Sequence, residues 1–183
     1  MKENARRTKV VLVGYRATGK TTIAKALAKR WKIGWIDLDV AIEEYAQMSI
    51  AQIFAEKGET YFRDLEAEVV KDVLNKPEPM VIATGGGAPL RDSSRALMKE
   101  RGVVVWLTAS VDTIAKRMLG DVTTAARRPA LTDAKSPVAE IERVLVAREP
   151  IYRETAMMVV KTDDRTVDEI VMEIADSASD YFL

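Results

Sequence analysis

Five short runs of almost continuously apolar residues divide the chain, and β-branched side chains are frequent in them. Runs of this length and composition are typical of strands that are buried on both faces of a parallel sheet. The predicted strands are Val10–Val13, Gly34–Asp37, Met80–Thr84, Val103–Leu107 and Met157–Lys161.

Between these runs, apolar residues recur three or four positions apart, which is the period of an amphipathic helix. The alternation of strands and helices predicts an α/β fold, a five-stranded parallel sheet flanked by helices. We expect residues 38–75 to be a helical insertion over the sheet edge, residues 119–135 to be a loop, and residues 1–183 to form one domain. The predicted helices are Thr21–Trp31, Glu59–Leu74, Ser110–Leu119, Pro137–Glu149 and a last helix opened by the capping box Thr166–Glu169.

Composition narrows the chemistry that is open to this chain. It has 28 Lys and Arg against 28 Asp and Glu, and neither His nor Cys. Disulfides, thiol catalysis, His-based dyads and Cys or imidazole metal sites are therefore excluded. The balanced charge gives no general attraction to nucleic acids or anionic membranes, and no segment approaches the ~20 apolar residues of a membrane span. We expect a cytoplasmic monomer without nucleic acid or membrane partners.

The segment Gly14–Thr21 matches the pattern G-x-x-x-x-G-K-[ST] between a predicted strand and a predicted helix. Such a loop turns successive backbone N–H groups toward phosphate oxygens, and the positive end of the helix dipole faces the same anion. Lys20 can reach the β- and γ-phosphates, and the hydroxyl of Thr21 can bind Mg²⁺. We therefore predict a nucleoside triphosphate site, whose remaining contacts come from Gly14, Ala17, Thr18, Gly19 and Thr22.

Asp37 and Asp39 follow the second predicted strand. In an extended segment, residues two apart share a face, so both carboxylates would point toward the phosphate-binding loop. One carboxylate can hold the water shell of Mg²⁺, and the other can accept a proton from an attacking hydroxyl. The alternative is a solvated pair of acids at a strand end. A GTPase is a poorer match, because Asn75–Glu78 precedes a strand and has Glu where guanine recognition uses Asp.

The chain resembles the shikimate kinase family in six segments that occur in the family's order, from Val10 to about Ala156. The resemblance implies the fold of the nucleoside monophosphate kinases, three layers with a lid loop at residues 119–135. It also implies transfer of phosphate from ATP, with Mg²⁺, to the 3-hydroxyl of shikimate, a step in chorismate and aromatic amino acid biosynthesis. The segments are GYRATGKTT, IDLDVAIEE, IFAEKGETYFRDLE, ATGGGAP, RRPAL and AREPIYRETA.

The resemblance also implies roles for individual residues in binding shikimate. Asp39 would bind ring hydroxyls and accept the proton, while Asp37 would lie near Mg²⁺. Arg63 and Arg148 would hold the substrate, whose carboxylate suits a guanidinium fork; an intrahelical ion pair of Arg63 with Glu59 or Glu66 is compatible with that role. The remaining predicted contacts are Gly85, Gly86 and Gly87 through their backbone, and Phe54 and Phe62, which are alternatively simple core residues.

Two arginines complete the predicted nucleotide site. Arg128 corresponds to the lid arginine that reaches the transferring phosphate, although Arg127 beside it could take that role. Arg117 resembles the arginine that stacks on adenine, and its alternative is an exposed helix cation. Ala17 stands where the family often has glycine, so we expect position 17 to keep a backbone conformation that suits other residues. A related gluconate or nucleotide kinase, and a nucleotide-binding module without turnover, are the competing functions.

Overall fold

The computed structural model describes residues 7–120 and 136–182. Five strands form one sheet in the order β2-β3-β1-β4-β5, and every neighbouring pair is parallel. This confirms the predicted five-stranded parallel sheet. The strands are β1 Lys9–Val13, β2 Gly34–Asp37, β3 Met80–Ala83, β4 Gly102–Thr108 and β5 Met158–Lys161.

Seven α-helices flank the sheet in the part of the chain that the structure describes. The prediction missed α4, because few of its residues are apolar and only Ser94 and Met98 are buried. The sixth helix continues past Pro150, beyond the predicted end at Glu149. The helices are α1 Lys20–Trp31, α2 Leu38–Ala46, α3 Ile50–Asn75, α4 Asp92–Arg101, α5 Val111–Gly120, α6 Pro137–Thr155 and α7 Val167–Phe182, with a 3-10 turn at Ala88–Leu90.

The central strands separate two hydrophobic cores, because alternate side chains of a strand point to opposite faces. Val11 and Val13 of β1 pack on one face against α2, α3, α4 and α6. Val10 and Leu12 pack on the other face against α1 and α7. The result is three layers, helices on either side of one sheet, as the resemblance implied.

The outer strands differ from the prediction of burial on both faces. Trp35 of β2 is 41% exposed and Val159 of β5 is 45% exposed. Each of these strands lies at an edge of the sheet and has a neighbour on one side only. The apolar runs of β2 and β5 therefore indicated strands correctly, but not the extent of their burial.

The predicted insertion at residues 38–75 consists of α2 and α3. Asp37 caps the start of α2, since its side chain accepts a hydrogen bond from the Asp39 N–H. Ser49 and Gln52 form a capping box that starts α3. Gly58 interrupts α3 with a φ of 80°, so the chain bends there while both halves pack over the sheet. Within residues 7–120 and 136–182, no helix has the length and apolar character that a membrane crossing needs.

Candidate active site

Three chain segments meet at the carboxyl-terminal end of the sheet's strands. They follow β1, β2 and β3, which are adjacent and parallel, so their carboxyl ends lie side by side. A cavity of about 220 Å³ opens between these segments. The phosphate-binding loop and the start of α1 contribute Lys20 and Thr21 to its walls. The end of β2 and the start of α2 contribute the acids Asp37 and Asp39, and the segment after β3 contributes the glycines Gly85 and Gly86.

The phosphate-binding loop uses three left-handed or otherwise positive-φ residues. Gly14 has a φ of 140°, Ala17 of 60° and Gly19 of 93°. A Cβ atom at Gly14 would lie 2.4 Å from the carbonyl oxygen of Leu107, so only glycine lets the loop pass β4 this closely. The expectation for Ala17 was wrong, because the loop path forces this alanine into the left-handed conformation that glycine adopts more readily.

Tyr15 anchors the phosphate-binding loop by packing into the protein interior. Its side chain is 1% exposed and packs among Ile114, Ile141 and Val144 of α5 and α6. Burial raises the pKa of the Tyr15 phenol, although the Arg16 guanidinium opposes that shift. Arg16 in turn forms an ion pair with Glu140 in the first turn of α6. The loop is therefore attached to α6 by both an apolar and an ionic contact.

Lys20 is the first residue of α1 and is 9% exposed. Its ammonium donates hydrogen bonds to the carbonyl oxygens of Gly14 at 2.9 Å and of Tyr15 at 2.7 Å. The Thr18 hydroxyl donates to the same Tyr15 oxygen at 2.8 Å. These bonds hold the cation inside the loop, where a bound phosphate would meet it together with the N-terminus of α1.

The structure corrects the predicted geometry of Asp37 and Asp39. The extended segment ends at Asp37 and a helix starts at Leu38, so the two acids do not share a face of one strand. Helix formation is favoured here because Asp37 caps the Asp39 N–H at 3.0 Å and Leu38 is buried in the core. Both carboxylates nevertheless line the cavity, Asp39 from the first turn of α2.

Thr21 and Asp37 fit the chemistry of a magnesium site. The Thr21 hydroxyl donates to Asp37 Oδ2 at 2.7 Å, so two hard oxygen donors lie together beside the loop. Mg²⁺ prefers oxygen ligands and usually keeps several waters, so few protein groups suffice. No group of three His, Cys, Asp or Glu side chains suited to a metal occurs among the described residues. Any magnesium at this position would therefore depend on substrate oxygens and water.

Arg63 forms both of the ion pairs that its spacing allowed. Its Nη1 lies 2.7 Å from Glu66, whose side chain is only 5% exposed, and its Nη2 lies 3.3 Å from Glu59. A Cβ atom at Gly87 would lie 2.1 Å from Arg63 Nη1. The missing side chain of Gly87 thus leaves room for the guanidinium, which Glu66 holds against the glycine triplet Gly85–Gly87.

Arg148 approaches the same glycine triplet from α6. A Cβ atom at Gly86 would lie 3.5 Å from Arg148 Nη1, 3.5 Å from the Tyr152 hydroxyl and 3.3 Å from the Gly14 carbonyl oxygen. Two guanidinium groups, from α3 and α6, are therefore brought to adjacent glycines. The start of the phosphate-binding loop touches the triplet at the same point.

Phe54 and Phe62, the two predicted contacts of the substrate ring, differ in how deeply they are buried. Phe62 is 2% exposed and belongs to the core under α3, which is the simpler of its two predicted interpretations. Phe54 is half-buried, and its ring centroid lies 4.7 Å from that of Phe62. Neither ring lines the cavity beside Lys20. Contact of Phe54 or Phe62 with a substrate ring stays a prediction.

A second cavity, of about 490 Å³, lies on the other side of the phosphate-binding loop. Arg117 lines it and donates hydrogen bonds to the Thr162 carbonyl oxygen at 2.7 Å and the Thr162 hydroxyl at 3.0 Å. Arg117 is therefore a half-buried, oriented group and not an exposed helix cation. Its stacking on adenine stays a prediction. Arg127, Arg128 and the rest of the lid from 121 to 135 lie outside the described residues.

Sequence reasoning named no role for Tyr15 or Tyr152, whereas it had named Glu66 as a possible ion-pair partner of Arg63. The Tyr152 hydroxyl donates to the Gly86 carbonyl oxygen at 2.6 Å, and Glu66 orients Arg63. A signal was available for Tyr152, because it is four residues after Arg148, which is a spacing of one helix face. Nothing in the sequence indicated that Tyr15 turns into the interior.

Comparisons with known proteins identify the family to which this chain belongs. The family model described as Shikimate kinase matches residues 16–179. A shikimate kinase of Rhodopirellula baltica is 44% identical over 167 residues, which cover 91% of this chain and 88% of that protein. A relative from Nitrobacter winogradskyi with the same name is 42% identical, covering 88% of this chain and 74% of that protein.

Solved structures give the same result. "Shikimate kinase from Acinetobacter baumannii in complex with shikimate" superposes with a TM-score of 0.86 at 30% identity, covering 96% of this chain and 95% of that one. A shikimate kinase from Aquifex aeolicus gives 0.76 at 32% identity, covering 94% and 96%. A gluconokinase from Sinorhizobium meliloti, 18% identical with a TM-score of 0.58 over 96% and 94%, shares the fold alone. The chain belongs to the shikimate kinase family.

Proposed function

We propose that this chain transfers the γ-phosphoryl group of ATP to the 3-hydroxyl of shikimate and releases shikimate 3-phosphate and ADP. The observation that carries the proposal is the approach of Arg63 to Gly87 and of Arg148 to Gly86. Gly86 lines the same cavity as Lys20 and Asp39, although the two arginines themselves do not line it. Two guanidinium forks suit a carboxylate on a small acceptor, because paired N–H···O bonds fix its orientation.

The nucleotide is expected to lie across the phosphate-binding loop. The cavity at Arg117 and the cavity at Asp39 share Ala17, Gly19 and Thr22 as lining residues. A nucleotide with its base beside Arg117 would therefore direct its terminal phosphate over the loop toward Asp39. In-line transfer needs donor and acceptor on opposite sides of one phosphorus, and this arrangement supports it.

Each described residue of the site has its own proposed role in the reaction. Lys20 would neutralise the transferring phosphate, and Asp39 would orient the attacking hydroxyl and accept its proton. Thr21 and Asp37 would hold Mg²⁺, which supplies charge neutralisation at the β- and γ-phosphate oxygens. We propose Arg128 of the lid as a further cation on the transferring group, with Arg127 as the alternative.

The test is an ATP consumption assay with shikimate, gluconate and AMP as parallel acceptors. We expect turnover with shikimate that exceeds turnover with either other compound by at least about 10³-fold. The rigid ring of shikimate can hold its carboxylate at the guanidinium groups and a hydroxyl at Asp39 together, whereas gluconate is a flexible open chain and AMP has no carboxylate. Equal turnover with gluconate or AMP would contradict the proposal. Tight ATP binding without turnover of any acceptor would favour a nucleotide-binding module instead.

We further propose that the chain acts as a cytoplasmic monomer on small molecules alone, without nucleic acid or membrane partners. Sedimentation at several protein concentrations tests the oligomeric state. A mass that doubles with concentration would contradict the monomer.

A further inference from the structure

We infer that Tyr152 is a positioning residue for the acceptor site, because it fixes the backbone orientation of the glycine triplet Gly85–Gly87. Its side chain is fully buried, and its hydroxyl donates to the Gly86 carbonyl oxygen at 2.6 Å. The inference rests on the proposed function, since it concerns how that site holds shikimate.

The bond matters because Gly86 has no side chain to hold its own backbone. Glycine reaches many φ/ψ combinations at little cost, so the peptide between Gly86 and Gly87 can rotate unless something restrains it. In a trans peptide the carbonyl oxygen and the following N–H point in opposite directions. By holding the Gly86 oxygen, Tyr152 directs the Gly87 N–H away from α6. One hydroxyl thus sets the direction of a donor group in the triplet.

Tyr152 is itself held firmly. Its ring packs against Trp106 of β4, with the centroids 5.8 Å apart and the planes at 37°. Trp106 is 6% exposed, and the Arg153 guanidinium lies over it at 5.4 Å. Packing on a central strand leaves the phenol little rotational freedom, so its hydroxyl is a fixed reference point for the triplet.

The same helix face carries a substrate-binding candidate. Arg148 precedes Tyr152 by one helical turn, and both the Arg148 Nη1 and the Tyr152 hydroxyl lie 3.5 Å from a Cβ position at Gly86. α6 therefore presents a guanidinium and a backbone anchor together. Loss of the anchor would misplace the triplet relative to Arg148 while leaving Lys20, the first residue of α1, and its hydrogen bonds to the phosphate-binding loop in place.

The test compares Tyr152→Phe with Thr155→Val in steady-state assays with shikimate and ATP varied separately. Tyr152→Phe keeps the ring on Trp106 and removes only the hydroxyl. Thr155→Val is the matched control, because it removes a buried hydroxyl that bonds within α6, to Ile151 at 2.5 Å, without touching the triplet. We expect Tyr152→Phe to raise the shikimate KM about tenfold and to leave the ATP KM within about twofold, and Thr155→Val to change neither.

The outcomes separate this inference from the proposed function. If the wild-type protein does not phosphorylate shikimate, the proposed function fails. If it does, and Tyr152→Phe leaves the shikimate KM unchanged or raises both KM values equally, the positioning role is wrong. Equal shikimate effects of both variants would also overturn it. Should Tyr152→Phe not fold, Trp106→Phe decides, since it loosens the ring support: we expect a shikimate KM raised about threefold, and no change would overturn the role.

Discussion

Replacing Gly87 by alanine tests acceptor binding separately from nucleotide binding, because it adds one methyl group beside Arg63. The added Cβ would lie 2.1 Å from Arg63 Nη1, whereas ordinary contacts begin at 3.4 Å, so the guanidinium must retreat by about 1.3 Å. Gly87 has a φ of −94° and a ψ of −14°, a conformation that alanine adopts without strain. The substitution therefore moves a functional group without distorting the backbone.

The expected effect on stability is small. Glycine-to-alanine changes at compatible positions stabilise by about 0.4–1 kcal/mol through the unfolded state. Weakening the ion pair of Arg63 with the buried Glu66 opposes this gain. We expect a net change within about 1 kcal/mol, which is about 2–4 °C in Tm for a chain of this size.

The expected effect on shikimate binding is large. Hydrogen bonds to charged groups contribute about 1.5–3 kcal/mol, so a displaced Arg63 fork should raise the shikimate KM by about 10- to 100-fold. The ATP KM should stay within about twofold, because Lys20 and its loop are untouched. Steady-state kinetics with each substrate varied in turn measures both values.

Gly34→Ala is the matched control for this prediction. Its Cβ would meet only Met80 Cβ, at 4.0 Å, on the edge strand β2. Both KM values should equal those of the wild-type protein. An unchanged shikimate KM in Gly87→Ala, with the fold intact, would refute the assignment of Arg63 to the acceptor.

Three further predictions concern Lys20, Asp39 and Asp163. Lys20→Ala should lower kcat by at least about 10²-fold with the far-ultraviolet circular dichroism spectrum preserved; full activity would contradict its role at the phosphate. Asp39→Asn should lower kcat about 10²- to 10⁴-fold while the ATP KM stays near its wild-type value, and an unaltered kcat would remove Asp39 as proton acceptor. Burial acts to raise the pKa of Asp163, but hydrogen bonds from Ser110 and Thr113 outweigh it and leave that pKa below 3.8. Its stabilising effect is therefore complete above that value and lost as the pH falls through the folded-state pKa. Because solvent screens this partly exposed carboxylate, denaturant unfolding should show Asp163→Asn only roughly 0.2–0.5 kcal/mol less stable at pH 7, with a difference that shrinks as the pH falls below 3.8; a gap independent of pH would argue against the charge.

Much of the fold followed from local patterns, and the exceptions have physical causes. The strand–glycine loop–helix order of residues 10–31 specified the phosphate-binding loop, because both hydrophobic periodicity and glycine positions agree there. Helix α4 was missed because a helix with two buried residues leaves little periodic signal. The conformation after Asp37 was missed because a capping bond, which spacing alone does not reveal, turns the chain into a helix.

The candidate site was predictable as a set of residues but not as an arrangement. The motifs identified Arg63, Arg148 and Gly86, yet their common meeting point depends on where α3 and α6 cross the sheet. Tyr152 has its role only through a contact 66 residues away in sequence. The spacing from Arg148 places Tyr152 on the same face of α6, but it does not reveal which backbone group the hydroxyl reaches.

The shortness of the outer strands bears on how the molecule behaves when it is concentrated. β2 and β5 each have four residues, and an exposed strand edge is a template on which another chain can add by hydrogen bonding. β2 ends in Asp37 and β5 in Lys161, and the Lys25 ammonium lies 5.0 Å from the centre of the exposed Trp35 ring. Brief, charge-flanked edges offer a poor template, so intermolecular sheet extension and the aggregation that follows from it should be disfavoured.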